Sequence, residues 1–241
     1  MMRIGVVGTG TIAAAVVDGI AEDGHQITVS QRGEAHSSRL AGKYENVTVA
    51  GNQAVLDASD IIFLGLMADQ ARHVLSSLTF RPDQKVVSLM SGPTINELQV
   101  KVAPAIAVAN MIPFPGIATG DSPILILGEA EIANALFGAR NSIFQLADQS
   151  ELAAYLAAQA VLSPATLMVQ KAGEWLGDNV KDAAQGEAFL RALVGSSLQA
   201  TPDCQHLIQA LNTPGGYNQR LRLHMEASGF TKQLEEGLST L

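Results

Sequence analysis

"IGVVGTGTIAAAV", residues 4–16, decides how this chain folds. An apolar run enters Gly8-Thr9-Gly10-Thr11-Ile12-Ala13, and an alanine-rich helical pattern leaves it. The spacing is G-x-G-x-x-A. The first glycine allows a tight strand-to-helix turn, and the second lets a pyrophosphate reach the backbone. The small sixth residue lets the helix pack close on the sheet. A helix opening there presents unpaired N–H groups and a positive dipole end to phosphate. Gly8, Thr9, Gly10, Thr11 and Ile12 are therefore read as dinucleotide-binding residues. A glycine-rich turn without a ligand is the plainer alternative, and it fits the combination of strand, turn and helix less well.

Outward from this turn, short continuous apolar runs recur at residues 2–7, 26–29, 61–66, 85–89, 106–109 and 124–127. Strands buried on both faces of a parallel sheet read this way. Helical spacing lies between them, as in Ile12, Val16, Gly19 and Ile20, and again in Ala71, Val74, Leu75 and Leu78. Alternation of this kind predicts βαβ units and a Rossmann-type, doubly wound α/β fold. After residue 127 no strand pattern is apparent, and residues 150–177, 180–199 and 201–211 read as helices with two shorter ones behind them. The predicted organisation is a dinucleotide-binding domain over 1–147 and an all-helical domain over 148–241.

The second strand ends in Ser30-Gln31-Arg32, where an NAD site would place a carboxylate for the ribose 2′-hydroxyl. A hydroxyl, an amide and a guanidinium suit a 2′-phosphate instead, so NADP is the expected cofactor.

Composition bounds the rest. Charged residues are 16% and hydrophobic ones 47% of the 241, which suits a globular chain with a sizeable core. A net charge of −8 argues against nucleic acid as a partner. The one cysteine, Cys204, excludes an internal disulfide and is expected to be a buried filler in a reducing compartment. The five histidines show no metal-ligand spacing, so no metal site is expected. With no signal-peptide pattern and no apolar run of some 18–20 residues read at this level, the expectation is a cytoplasmic protein without a membrane span.

Several segments, in order along nearly the whole chain, resemble the pyrroline-5-carboxylate reductase family. They are "GTGTIAAAVVDGI", Ser30-Gln31-Arg32, Asn52, Gly65-Leu66-Met67, Met90-Ser91-Gly92, "LSPATL" at 162–167, "NTPGGYN" at 212–218 and "MEASGF" at 225–230. The resemblance implies NADPH-dependent reduction of a cyclic imine carrying a carboxylate, by a homodimer whose helical domains interlock. It assigns cofactor contacts to Asn52, Gly65, Leu66, Met67, Ser91 and Gly92. It assigns a carboxylate site to Thr213, Gly215, Gly216 and Tyr217, with Asn218 orienting the imine. Departures accompany it. "ANMIPFP" at 109–115 has Ala109 where the family carries Arg, and Pro113 and Phe114 where it carries Asn and Thr. Met67 replaces a Lys, and Tyr217 and Asn218 replace two threonines.

Read without the resemblance, residues 213–218 are a helix–helix turn with Thr213 as N-cap and Pro214 at the first helical position. The two readings are compatible, because an N-cap turn also attracts anions. Two other functions stay open. Lys171 could be the lysine of a β-hydroxyacid-type dehydrogenase, although Trp175 stands where that family has Asn. A relative that binds NADP without catalysis would also explain the departures.

Overall fold

Most of the strands form where β-branched and aliphatic residues run without polar interruption, and eight strands make one sheet. The computed structural model describes residues 1–241, Ala68 by its backbone alone. The chain divides into two compact units, Met1–Leu152 and Ala153–Leu241.

In the first unit the order begins β1 (Arg3–Val7), α1 (Thr11–Ile20), β2 (Gln26–Ser30), α2 (Glu34–Lys43), β3 (Val47–Ala50) and α3 (Asn52–Asp57). It continues with β4 (Ile61–Leu64), α4 (Ala68–Leu75), β5 (Lys85–Ser88), α5 (Ile95–Val102) and β6 (Ile106–Pro113). Then come β7 (Pro123–Gly128), α6 (Glu131–Phe137) and β8 (Ser142–Leu146). The sheet order is β3-β2-β1-β4-β5-β6-β7-β8. The chain reverses its winding between β1 and β4, and the carboxyl ends of those strands open the crevice where α/β sheets bind ligands.

Two strands escape the sequence pattern. β3 is short and half exposed, with only Val47 fully buried, so it lacks the continuous apolar run of its neighbours. β8 is a true edge strand whose residues 142–145 face water at least in part, and it corrects the expectation of no strand after residue 127. β6 runs to Pro113 rather than 109, because its end pairs with β7 in the one antiparallel ladder, Met111 opposite Ile126 and Pro113 opposite Ile124.

Two cores sandwich the sheet. One face packs Val16, Val17, Ile20, Phe63, Met111 and Phe137, among others, beneath α1 and α6. The other packs Val55, Leu64, Leu75, Leu98 and Val102 beneath α3, α4 and α5. Side chains such as Phe63 and Phe137, in an edge-to-face pair 6.4 Å apart, are wholly removed from water. Each large aliphatic or aromatic side chain so buried contributes roughly 1.5–3 kcal/mol.

The second unit is all helix. Residues 150–177 form not one helix but α7 (Gln149–Ala158), a 3₁₀ turn at Gln159–Val161 and α8 (Leu162–Gly177). Then follow α9 (Ala183–Gln199), α10 (Cys204–Ala210), α11 (Tyr217–Ala227) and α12 (Phe230–Leu238). α8 and α9 pack as a hairpin in which Gly173 and Gly186 are the buried positions. A Cβ on Gly186 would lie 2.9 Å from the Leu176 side chain, so the small residue sets how closely the two helices approach. No large apolar side chain in this unit is fully buried among the described residues. Cys204 is exposed rather than buried, because α10 presents it at its first turn with no core beneath. The stretch Gln149–Gly177 is long and apolar enough to cross a membrane by length and composition, which corrects the reading that no such run exists.

Candidate functional site

β1 hands the chain to α1 through a turn that only glycine can make. Gly8 has φ +90°, and a Cβ there would sit 2.6 Å from the Gly65 carbonyl oxygen. Gly65 returns the constraint, since its own Cβ would meet the Gly8 carbonyl oxygen at 2.5 Å and the Ala13 Cβ at 2.8 Å. The ends of β1 and β4 therefore touch backbone to backbone, with the Ala13 Cβ of α1 close against Gly65, which is why the sixth residue of the motif is small. Gly10 is different. It caps α1 with φ −82°, no side chain caps the helix, and a Cβ on Gly10 would meet nothing within 4 Å. No neighbour demands a glycine there, so the vacant space lies over the unpaired N–H groups of the helix start.

The loop after β2 is laced to this turn. The Gly8 N–H donates to Ser30 Oγ at 2.8 Å, the Thr9 N–H to the Arg32 carbonyl at 3.2 Å, and Thr9 Oγ1 to the Ser30 carbonyl at 3.0 Å. Gly33 has φ +88°, and a Cβ there would fall 2.1 Å from the Thr9 carbonyl oxygen. Ser30 and Thr9 are buried, so both hydroxyls brace the two loops and neither faces solvent as a cofactor-contacting group would. Gln31 and Arg32 stay exposed on the braced loop. Asn52 opens α3 half-buried, behind Gly51 and without a side-chain cap.

Between the carboxyl ends of β1, β4 and β5 lies a cleft of about 350 Å³. Of the residues singled out in the sequence it brings together segments 10–12 and 65–67 and Ser91. Gly8, Thr9, residues 30–32, Asn52 and Gly92 are not on its walls. It also takes in Ala13, Leu89 and Met90, to which no contact was assigned. Met67 projects into this space 69% exposed, a position where the core offers it no cover. Ala109 is buried, in the core on the sheet face that packs beneath α1 and α6. Among the described residues no cluster of His, Cys, Asp or Glu could hold a metal ion.

In the second unit, residues 213–216 form the turn before α11, and Tyr217 and Asn218 open the helix. Gly216, not Thr213, is the N-cap, and no side chain caps this helix. Thr213 instead accepts the Gly216 N–H on its carbonyl at 3.0 Å, which closes the turn around Pro214 and Gly215. Gly215 takes φ +74°, and its N–H donates to Gln219 Oε1 at 2.8 Å. Gln219 Nε2 donates to Asn212 Oδ1 at 3.1 Å, and Arg222 donates to the same oxygen at 2.8 Å and to Glu226 at 2.7 Å. The chain's own groups thus occupy the Gly215 and Gly216 amides. The first helical amides, those of Tyr217 and Asn218, are the ones that point outward from the helix start. Tyr217 is 89% exposed, and Asn218 is exposed beside it. A separate apolar groove of about 400 Å³, walled by Val161, Pro164, Phe230 and Leu234, contains none of the residues to which a cofactor or substrate contact was assigned.

Residues 3–92 match the family described as NADP oxidoreductase, coenzyme F420-dependent. No curated protein matches the chain in sequence. Among solved structures, the chain is similar to the 1-pyrroline-5-carboxylate reductase of Streptococcus pyogenes, with TM-score 0.82 and 20% identity over 99% of this chain and 96% of that one. The pyrroline carboxylate reductase of Plasmodium falciparum, with NADP bound, gives TM-score 0.79 and 14% identity over 99% and 95%. A reductive aminase from Aspergillus terreus, in complex with NADPH and ethyl levulinate, gives TM-score 0.63 and 17% identity over 100% and 90%. The chain therefore has the pyrroline-5-carboxylate reductase fold, and its first 92 residues carry the match to the NADP oxidoreductase, coenzyme F420-dependent family.

Proposed function

We propose that this protein is an NADPH-dependent reductase of carbon–nitrogen double bonds. Its substrate is a small cyclic imine bearing a carboxylate, with pyrroline-5-carboxylate the first candidate, and it works as a homodimer. The observation that carries the reading is Gly10: a glycine required by no neighbour, over an uncapped helix start, beside a cleft. That is where a pyrophosphate needs bare backbone. On this reading Gln31 and Arg32, exposed on the loop braced against the glycine turn, would receive the 2′-phosphate.

When bound, the dinucleotide supplies the hydride. The chain's own residues bind, orient and keep out water. Leu66, Met67 and Met90 give the cleft an apolar wall, which suits a neutral ring. A protonated imine carbon is already electrophilic, so no strong base is required and positioning does most of the work. The Tyr217 and Asn218 amides, at the positive end of α11, take the substrate carboxylate. Thr213, Gly215 and Gly216 shape that turn, and the Asn218 amide group bonds near the imine nitrogen.

The test is NADPH oxidation against a panel of cyclic imines and keto acids, with Asn218→Ala beside the wild type. The expected result is turnover of a carboxylated imine. In the variant kcat should fall at least tenfold, the worth of about one hydrogen bond to a charged group, while NADPH binding is unchanged. Full activity in the variant removes Asn218 from the mechanism. NADPH binding without turnover on any compound favours a non-catalytic relative. The match over residues 3–92 supports a second reading, hydride exchange between NADP and a deazaflavin, and a reduced deazaflavin belongs in the same panel.

A further inference from the structure

Asn110 is 1% exposed, and neither its side-chain oxygen nor its nitrogen has a hydrogen-bond partner among the described residues. A buried amide with both ends unmet is unfavourable, and native chains rarely keep one without a use. Its place in the sheet suggests the use. The register sets Val7, Leu64, Ser88 and Asn110 in one row across β1, β4, β5 and β6. Residues paired side by side in a parallel sheet turn their side chains to the same face. Val7 and Leu64 belong to the core that also contains Leu66 and Met90, so Asn110 faces that core. Leu66 and Met90 are also walls of the cleft, and Ser88 Oγ accepts the Met90 N–H at 3.1 Å. Asn110 thus lies in the row beneath the cleft, under side chains that form both core and wall. Met90 is unbranched and adaptable, the kind of side chain that repacks readily.

We propose that Asn110 is the residue that receives the carboxamide of the nicotinamide ring, with the Met90 side chain moving aside as the ring enters. The inference rests on the NADP reading above. A primary amide is complementary to Asn110 on both sides, since each offers one donor and one acceptor to the other. The pair fixes which face of the ring is presented at the apolar wall of the cleft. Asn110 is a positioning residue for the cofactor and takes no part in bond making.

The experiment compares wild type with Asn110→Leu, an apolar substitute of similar shape, in equilibrium binding of three ligands. These are NADPH, 2′-phospho-ADP-ribose, which lacks the ring, and the reduced 3-acetylpyridine analogue, which lacks the amide N–H donor. In Asn110→Leu the Kd for NADPH should rise about tenfold, one hydrogen bond's worth. The Kd for 2′-phospho-ADP-ribose should be unchanged. Wild type should prefer NADPH to the acetylpyridine analogue, and the variant should lose that preference. Without ligand, Asn110→Leu should melt at or above the wild-type temperature, because two unmet polar atoms are gone. Unchanged NADPH binding overturns the proposal, and so does an equal loss for NADPH and 2′-phospho-ADP-ribose. A wild-type protein that fails to bind 2′-phospho-ADP-ribose removes the NADP reading and this assignment with it.

Discussion

Two glycines close to the same turn answer to different masters, and substitution separates them. Gly33 is held by the protein: its φ is +88°, and a Cβ would collide with the Thr9 carbonyl at 2.1 Å. Gly10 is held by nothing in the protein, with an ordinary φ of −82° and open space where a Cβ would point. Gly33→Ala should therefore destabilise the fold by about 1–3 kcal/mol, a drop of several degrees in melting temperature. Gly10→Ala should cost less than about 1 kcal/mol as an N-cap change and yet weaken NADPH binding well over tenfold. Thermal melts paired with NADPH titration check both, and a Gly10→Ala protein that binds NADPH normally would remove the phosphate from this turn. The motif itself was legible in the sequence. The bracing roles of Thr9 and Ser30 were not, because nothing in "TVSQRG" says that the hydroxyls turn inward to neighbouring loops.

At the scale of elements, α1 and α2 are joined by an acid at the centre of three donors. Asp18, on α1, accepts from Arg39 at 2.6 and 3.1 Å, from Tyr44 Oη at 2.8 Å and from Lys43 at 3.3 Å. Burial alone would raise its pKa. The hydrogen bonds from Arg39, Tyr44 and Lys43 outweigh that, and the carboxyl sits below its ordinary value. A lowered folded-state pKa contributes stability that is present above the ordinary carboxylate pKa, near 3.9, and is lost as pH falls through the lower folded value. Asp18→Asn should be about 1–2 kcal/mol less stable than wild type at pH 7, discounting the half-exposed cations. That gap should close as the pH is lowered through 4 and beyond. Denaturant melts at pH 7, 5 and 3 measure it, and a gap constant across that range would show that the charge is not the cause. Elements such as α1 and β1 were plain from periodicity. β3 and β8 were not, because an exposed edge strand has polar and apolar residues mixed by its one wet face.

At the scale of the whole molecule, the two units differ in what they bury. The first holds both cores, whereas the second leaves Leu162, Leu167, Trp175, Phe189, Leu193 and Leu198 at least 48% exposed. Apolar surface on that scale needs a cover. Sedimentation equilibrium at micromolar concentration should give twice the 25.3 kDa chain mass, and a monomer would overturn the homodimer. By length and composition Gln149–Gly177 could cross a membrane, and on the homodimer proposal its apolar faces are covered by a second copy of the chain instead. By itself, the sequence determined the βαβ alternation, the glycine turn and the helical second half. These follow from local periodicity and from the backbone angles that particular residues allow. Only the tertiary structure decided which hydroxyls brace and which groups stay outward, that Gly215 and Gly216 have already committed their amides, and that Asn110 lies unpaired beneath the cleft. Those outcomes depend on neighbours far apart in the chain, and single-residue preference carries no record of them.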